Sequence, residues 1–139
     1  MGSGHQCQLA WTIPRCQAVW GHMRDHGGGH IFNVASTSAM RAASGASAYS
    51  ASKFGLLGMG RSLNLEGRQD NIRVTTIIPG GMRTHFFDRF VEQGIPAPDS
   101  ALLQDPANVA RTILFAARMP AGSDVQELVV TSPFESGWP

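Results

Sequence analysis

His30-Ile31-Phe32-Asn33-Val34-Ala35-Ser36 is a short, mostly apolar run that stops on small polar residues. Such a run reads as a strand buried on both faces, as strands inside a parallel sheet are. Further along, Asn71-Ile72-Arg73-Val74-Thr75-Thr76-Ile77-Ile78 is rich in β-branched residues and is cut off by Pro79-Gly80-Gly81, which predicts a second strand ending in a turn. Val125 to Thr131 predicts a third. Helical patterns separate them. Pro14 to Arg24 predicts a helix with Pro14 in its first turn and Cys16, Val19, Trp20 and Met23 on one face. Ala46 to Glu66 predicts another, carrying a stripe of mostly small residues (Ala48, Ser52, Gly55, Met59, Ser62) that invites close packing. Asp105-Pro106 reads as the N-cap and first position of a third helix, running through Val109, Ile113, Leu114 and Ala117 and closed by Pro120 and Gly122. This alternation predicts an α/β fold: a parallel sheet of about three strands with helices on its faces.

Composition bounds the function. The 139 residues hold 11 Lys plus Arg against 10 Asp plus Glu, a formal charge of +1, which removes nucleic acid from the expected partners. Length and composition predict one globular domain over residues 1–139. No apolar stretch approaches the roughly 18 to 20 residues that span a bilayer, and Met1 to Ala10 lacks a basic segment followed by an apolar one, so membrane and export are not expected. Cys7 and Cys16 are nine positions apart, about 13 Å along a helix, too far for a disulfide, and read as free cytoplasmic thiols. The five histidines are not read as a ligand set, and no metal site is expected.

Two glycine-rich stretches look like phosphate cradles and are read otherwise. Gly27-Gly28-Gly29 leaves a helix and enters a strand, the reverse of a phosphate loop. Gly55 to Gly60 falls inside a predicted helix. Phe86, Phe87, Phe90 and Val91 recur at helical spacing, and are expected in a buried core or an oligomer contact in preference to a substrate lid.

The chemistry gathers at the strand ends. Ser36 and Pro79-Gly80-Gly81 both lie where a predicted strand stops, and open α/β sheets bind ligands at the carboxyl ends of their strands. The chain's only Lys, Lys53, follows its only Tyr, Tyr49, by four residues on the intervening helix, so the two side chains share a face one turn apart. Phenols lose a proton near pH 10, and a nearby ammonium favours the phenolate, which makes this pair a candidate for general acid/base work. A hydroxyl such as Ser36 on the same substrate oxygen would polarise a carbonyl or hold an alkoxide. The three groups together suit interconversion of a carbonyl and an alcohol, with hydride supplied by a cofactor.

With these residues in place the sequence resembles the short-chain dehydrogenase/reductase family. Asn33-Val34-Ala35-Ser36 is similar to that family's Asn-x-Ser-Ser strand end, Tyr49 to Lys53 to its Tyr-x-x-x-Lys signature, and Pro79 to Thr84 to its Pro-Gly-x-x-x-Thr. The resemblance implies a partial Rossmann-like doubly wound parallel sheet, the second half of the family fold. It implies a catalytic set of Ser36, Tyr49 and Lys53, and a cofactor contact set of Tyr49, Lys53, Pro79, Gly80 and Thr84, with NAD or NADP as cofactor and a small carbonyl or alcohol as substrate. The family's Gly-rich turn between its first strand and helix is not in this sequence, so a truncated chain lacking the N-terminal cofactor-binding βαβ unit is expected, inactive on its own or active only with that unit supplied. Ungapped counting puts Gln8 where the family often has the Asn of a proton relay. The same resemblance implies a homo-oligomer through the helix carrying Tyr49 and Lys53. The alternative is a non-catalytic remnant acting as an oligomerisation or interaction module. Either way, a strand missing its usual neighbour leaves an apolar edge that favours self-association.

Overall fold

The computed structural model describes residues 8–42 and 44–135. In chain order it contains α1 (Gln8–Asp25), β1 (Gly29–Val34), α2 (Ser47–Glu66), β2 (Ile72–Pro79), α3 (Asp88–Glu92), α4 (Pro106–Ala117) and β3 (Glu127–Val130), with a single 3₁₀ turn in each connection from β1 to α4. The strands form one parallel sheet in the order β1-β2-β3, with Gly29 opposite Ile72, Val34 opposite Ile77, and Thr76 to Pro79 opposite Glu127 to Val130. The α/β parallel architecture read from the sequence is the one observed, and it is half of a doubly wound fold.

Burial separates the strands. Ile72, Val74, Ile77 and Ile78 of the central β2 are each 2% exposed or less, because strands and helices surround them. β1, expected to be covered on both faces, is not: it lies at a sheet edge, most of its residues are half-buried, and Val34 is exposed. The pattern seen in His30 to Ser36 is the pattern of a central strand, and position in the sheet, not composition, withholds the second neighbour.

The helices also shift relative to the sequence reading. α1 starts at Gln8, so Pro14 lies inside it and not in its first turn. The ring removes the bond to the Ala10 carbonyl, and Ala10 is exposed, where water can take that bond's place. Cys16 is buried and Trp20 and Met23 are half-buried, but Val19 faces solvent. Trp20 donates its indole N–H to Asp70 at 3.2 Å, tying α1 to the turn beyond α2. Cys16 is a free thiol whose burial pushes its pKa up; Cys7 and the Gln8 side chain lie outside the described residues.

On α2 the packed stripe is Lys53, Leu56, Leu57, Gly60 and Asn64, one position round from the one expected. Of the expected stripe only Ser52 is buried, while Ala48 and Ser62 are exposed. Leu56 and Leu57 pack with Ala35, Ala39 and Ile78 as a core cluster. Gly60 meets the sheet most closely, since a Cβ there would run into Thr76 Oγ1 and lie 3.1 Å from Asn33 Nδ2. Asp105 caps α4 by accepting from the Ala107 N–H at 2.8 Å, with Pro106 following, as read from the sequence. Gly27 and Gly28 turn α1 into β1 at φ +89° and +115°. Among the described residues no helix is long and apolar enough to cross a membrane.

Candidate functional site

A cavity of about 530 Å³ opens at the carboxyl ends of β1 and β2. Ser36, Tyr49, Lys53, Pro79, Gly80 and Thr84 all line it. Three chain segments deliver them: the exit of β1, the first turns of α2, and the exit of β2. A larger cavity of about 790 Å³ lies at the opposite, amino ends of the strands, lined by the turns at Gly29, Asn71 and Gly122. Carboxyl ends are where parallel strands stop and connecting loops diverge, so chemistry is sought in the first.

Each side chain has a local reason for its position. Ser36 is extended, and its Oγ accepts from the Ser38 N–H at 3.1 Å while capping the 3₁₀ turn Thr37–Ala39. That bond uses an oxygen lone pair and leaves the hydroxyl proton to be donated. Lys53 is only 6% exposed; its Nζ donates to the Val34 carbonyl at 3.3 Å and stands 5.6 Å from the centroid of the Tyr49 ring. Burial pushes the Lys53 ammonium below its ordinary pKa, because a charge withdrawn from water is disfavoured. The Val34 carbonyl, at the end of β1, is thus what holds the ammonium across from the phenol.

The β2 exit is braced from the far side. Gly80 donates to Val130 at 2.8 Å, Gln104 N–H donates to Gly81 at 3.0 Å, and the Gln104 side chain donates to Val130 at 2.7 Å. Thr84 caps the 3₁₀ turn His85–Phe87 through Phe86 N–H at 3.3 Å. That turn sets Phe86 beside Tyr49, ring centroids 5.7 Å apart, and Phe87 and Phe90 against Phe86. The phenylalanine cluster is therefore not buried core: Phe86 is 48% exposed, and Phe86 and Phe87 form part of the cavity rim. A short helix on a loop has no sheet beneath it to cover its apolar face.

Sequence reasoning missed Thr37, Arg41 and Glu135. The Glu135 carboxylate enters the cavity and accepts from Gly81 N–H at 3.0 Å, Thr37 Oγ1 at 3.3 Å and Arg41 at 2.7 Å. Glu135 is 94 positions from Arg41, and no local pattern links them.

The comparisons fit this geometry. The family model for short chain dehydrogenases matches residues 6–94. Acetoacetyl-CoA reductase of Rhizobium meliloti is 35% identical over 109 residues, covering 75% of this chain and 45% of that protein. Acetoin dehydrogenase from Salmonella typhimurium superimposes with a TM-score of 0.68 at 27% identity, over 86% of this chain and 48% of that one. An actinorhodin polyketide ketoreductase variant, solved with NADPH, gives a TM-score of 0.67 at 26% identity, over 82% of this chain and 50% of that one. The chain belongs to the short-chain dehydrogenase family. It spans about half the length of the curated relatives it matches.

Proposed function

We propose that this chain carries the proton-transfer and nicotinamide-facing parts of an NAD(P)-dependent oxidoreductase that interconverts a small carbonyl compound and its alcohol. The observation that carries this reading is the convergence of Ser36, Tyr49, Lys53, Pro79, Gly80 and Thr84, from three segments, on one cavity. The donor set suits the nicotinamide end of a dinucleotide: an ammonium and a phenol on α2 for ribose hydroxyls, a flat Pro79-Gly80 surface for a ring, and the Thr84 hydroxyl for a carboxamide. When bound, the cofactor supplies the hydride that no side chain can. Ser36 donates its proton toward the substrate oxygen and orients it. Tyr49 gives that oxygen a proton in reduction and takes it back in oxidation, and the reaction balances as one hydride to carbon and one proton to oxygen. Lys53 supplies positive charge beside the phenol. Pyrophosphate recognition falls to residues other than those described, so activity is expected with the amino-terminal half of a relative present.

The test is oxidation of NADPH or NADH with a panel of ketones, using the chain alone and the chain mixed with the amino-terminal half of the Rhizobium reductase. Tyr49→Phe removes one hydroxyl from a half-buried ring, so turnover falls by about 10²- to 10⁴-fold while the melting temperature stays put. Equal turnover in the variant, or no reduction by any combination, defeats the reading. A second reading, a non-catalytic module that assembles through α2, is favoured by Phe54 and Leu65, exposed at 46% and 61% on that helix.

A further inference from the structure

The Glu135 carboxylate is placed as a ligand would be. β3 ends at Val130, and a turn pinned by the Phe134 N–H on Ser132 Oγ (3.2 Å) and the Glu135 N–H on the Ser132 carbonyl (3.1 Å) carries the chain back over the cavity. Ser132 is buried, Phe134 is 68% exposed, and the Glu135 side chain is 14% exposed. One carboxylate oxygen takes the Gly81 N–H; the other takes the Thr37 hydroxyl and the Arg41 guanidinium. A backbone N–H, a hydroxyl and a guanidinium converging on two oxygens form an anion site, and the anion that occupies it is a carboxylate. Gly80 leaves the room: a Cβ there would run into the same carboxylate.

We propose that Thr37, Arg41 and the Gly81 N–H form a carboxylate-binding subsite, and that Glu135 fills it as an internal stand-in until a small-molecule carboxylate displaces it. The placement names a substrate class, which rests on the oxidoreductase reading. Thr37 follows Ser36 directly, with Cα atoms about 3.8 Å apart, and Ser36, Tyr49, Thr37, Arg41 and Gly81 all line the same cavity. One short molecule reaches both. The substrate is then an oxo acid, or the matching hydroxy acid, with its carboxylate on Arg41 and its carbonyl on Ser36 and Tyr49.

Acetate is the probe, because its binding needs neither cofactor nor turnover. It is titrated at constant ionic strength into the ¹⁵N-labelled full chain, wild type, Glu135→Ala and Glu135→Ala with Arg41→Ala. The tethered carboxylate competes in the wild type, so acetate binds Glu135→Ala on the order of tenfold more tightly, moving the Gly81 and Thr37 amide signals. Removing Arg41 as well abolishes that gain. A dispersed, folded spectrum of Glu135→Ala that does not respond to acetate at Gly81 overturns the proposal, and so does unchanged affinity without Arg41. Inorganic phosphate binding more tightly than acetate overturns the carboxylate assignment. If acetate binds as expected while no ketone or oxo acid is reduced in any combination, the subsite stands and the oxidoreductase reading falls.

Discussion

Lys53 shows what one residue's surroundings decide. Spacing alone puts it one turn from Tyr49. The structure adds that its ammonium is nearly sealed from water and is held by the Val34 carbonyl. Burial favours the neutral amine, so the folded chain releases this proton at lower pH than the unfolded chain does. Between the lowered folded value and the ordinary 10.5 the unfolded state binds more protons, and stability therefore rises with pH across that window. As the chain has one lysine, a single ¹³Cε resonance reports the titration. Its midpoint is expected below 10.5; a midpoint at or above 10.5 contradicts the burial and the geometry drawn from it. Thr37, Arg41 and Glu135 mark the limit of reading at this scale, because a carboxylate reaching across most of the chain leaves no periodic trace.

At the scale of elements, α2 depends on which glycine faces the sheet. Gly58 and Gly60 lie two positions apart in the same helix and look alike in sequence. A Cβ at Gly58 meets nothing within 4 Å, whereas one at Gly60 runs into Thr76. Gly58→Ala is expected to stabilise by about 0.5–1 kcal/mol through helix propensity and reduced unfolded-state entropy. Gly60→Ala is expected to lose about 1–3 kcal/mol to overpacking, outweighing the same propensity gain. Urea denaturation midpoints check both, and equal signs for the two would contradict the packing of α2 on β2. Helix existence and the Asp105 cap were legible because periodicity and capping are local chemistry. The packed stripe was not, since helix residues one position apart point about 100° away from each other and the sheet decides which way is inward.

For the whole molecule, the open edge of β1 and the uncovered faces of its helices dominate. Val34, Phe54, Leu65, Leu114 and Phe115 are all exposed. Phe54 and Leu65 are eleven residues apart on α2, three full turns, and so share one side. Apolar surface at this density drives association. The 14.9 kDa chain is expected to sediment as a dimer or larger species. Phe54→Glu with Leu65→Glu should raise the dissociation constant tenfold or more, a change of about 1.4 kcal/mol. A monomer in the wild type, or an unchanged constant in the double variant, removes α2 as the contact.

By itself the sequence determined the α/β class and the parallel sheet implied by its alternation, and it singled out as candidates Ser36, Pro79, Gly80 and Thr84 at the strand exits and Tyr49 and Lys53 on the intervening helix, because strand, helix and turn signals act over a few residues. Tertiary structure decided that β2, not β1, is the buried strand, that Phe86 and its neighbours rim the cavity, and that Glu135 enters it. Those depend on which surfaces are left uncovered once the elements have packed, and that is a property of the assembled chain and of no segment within it.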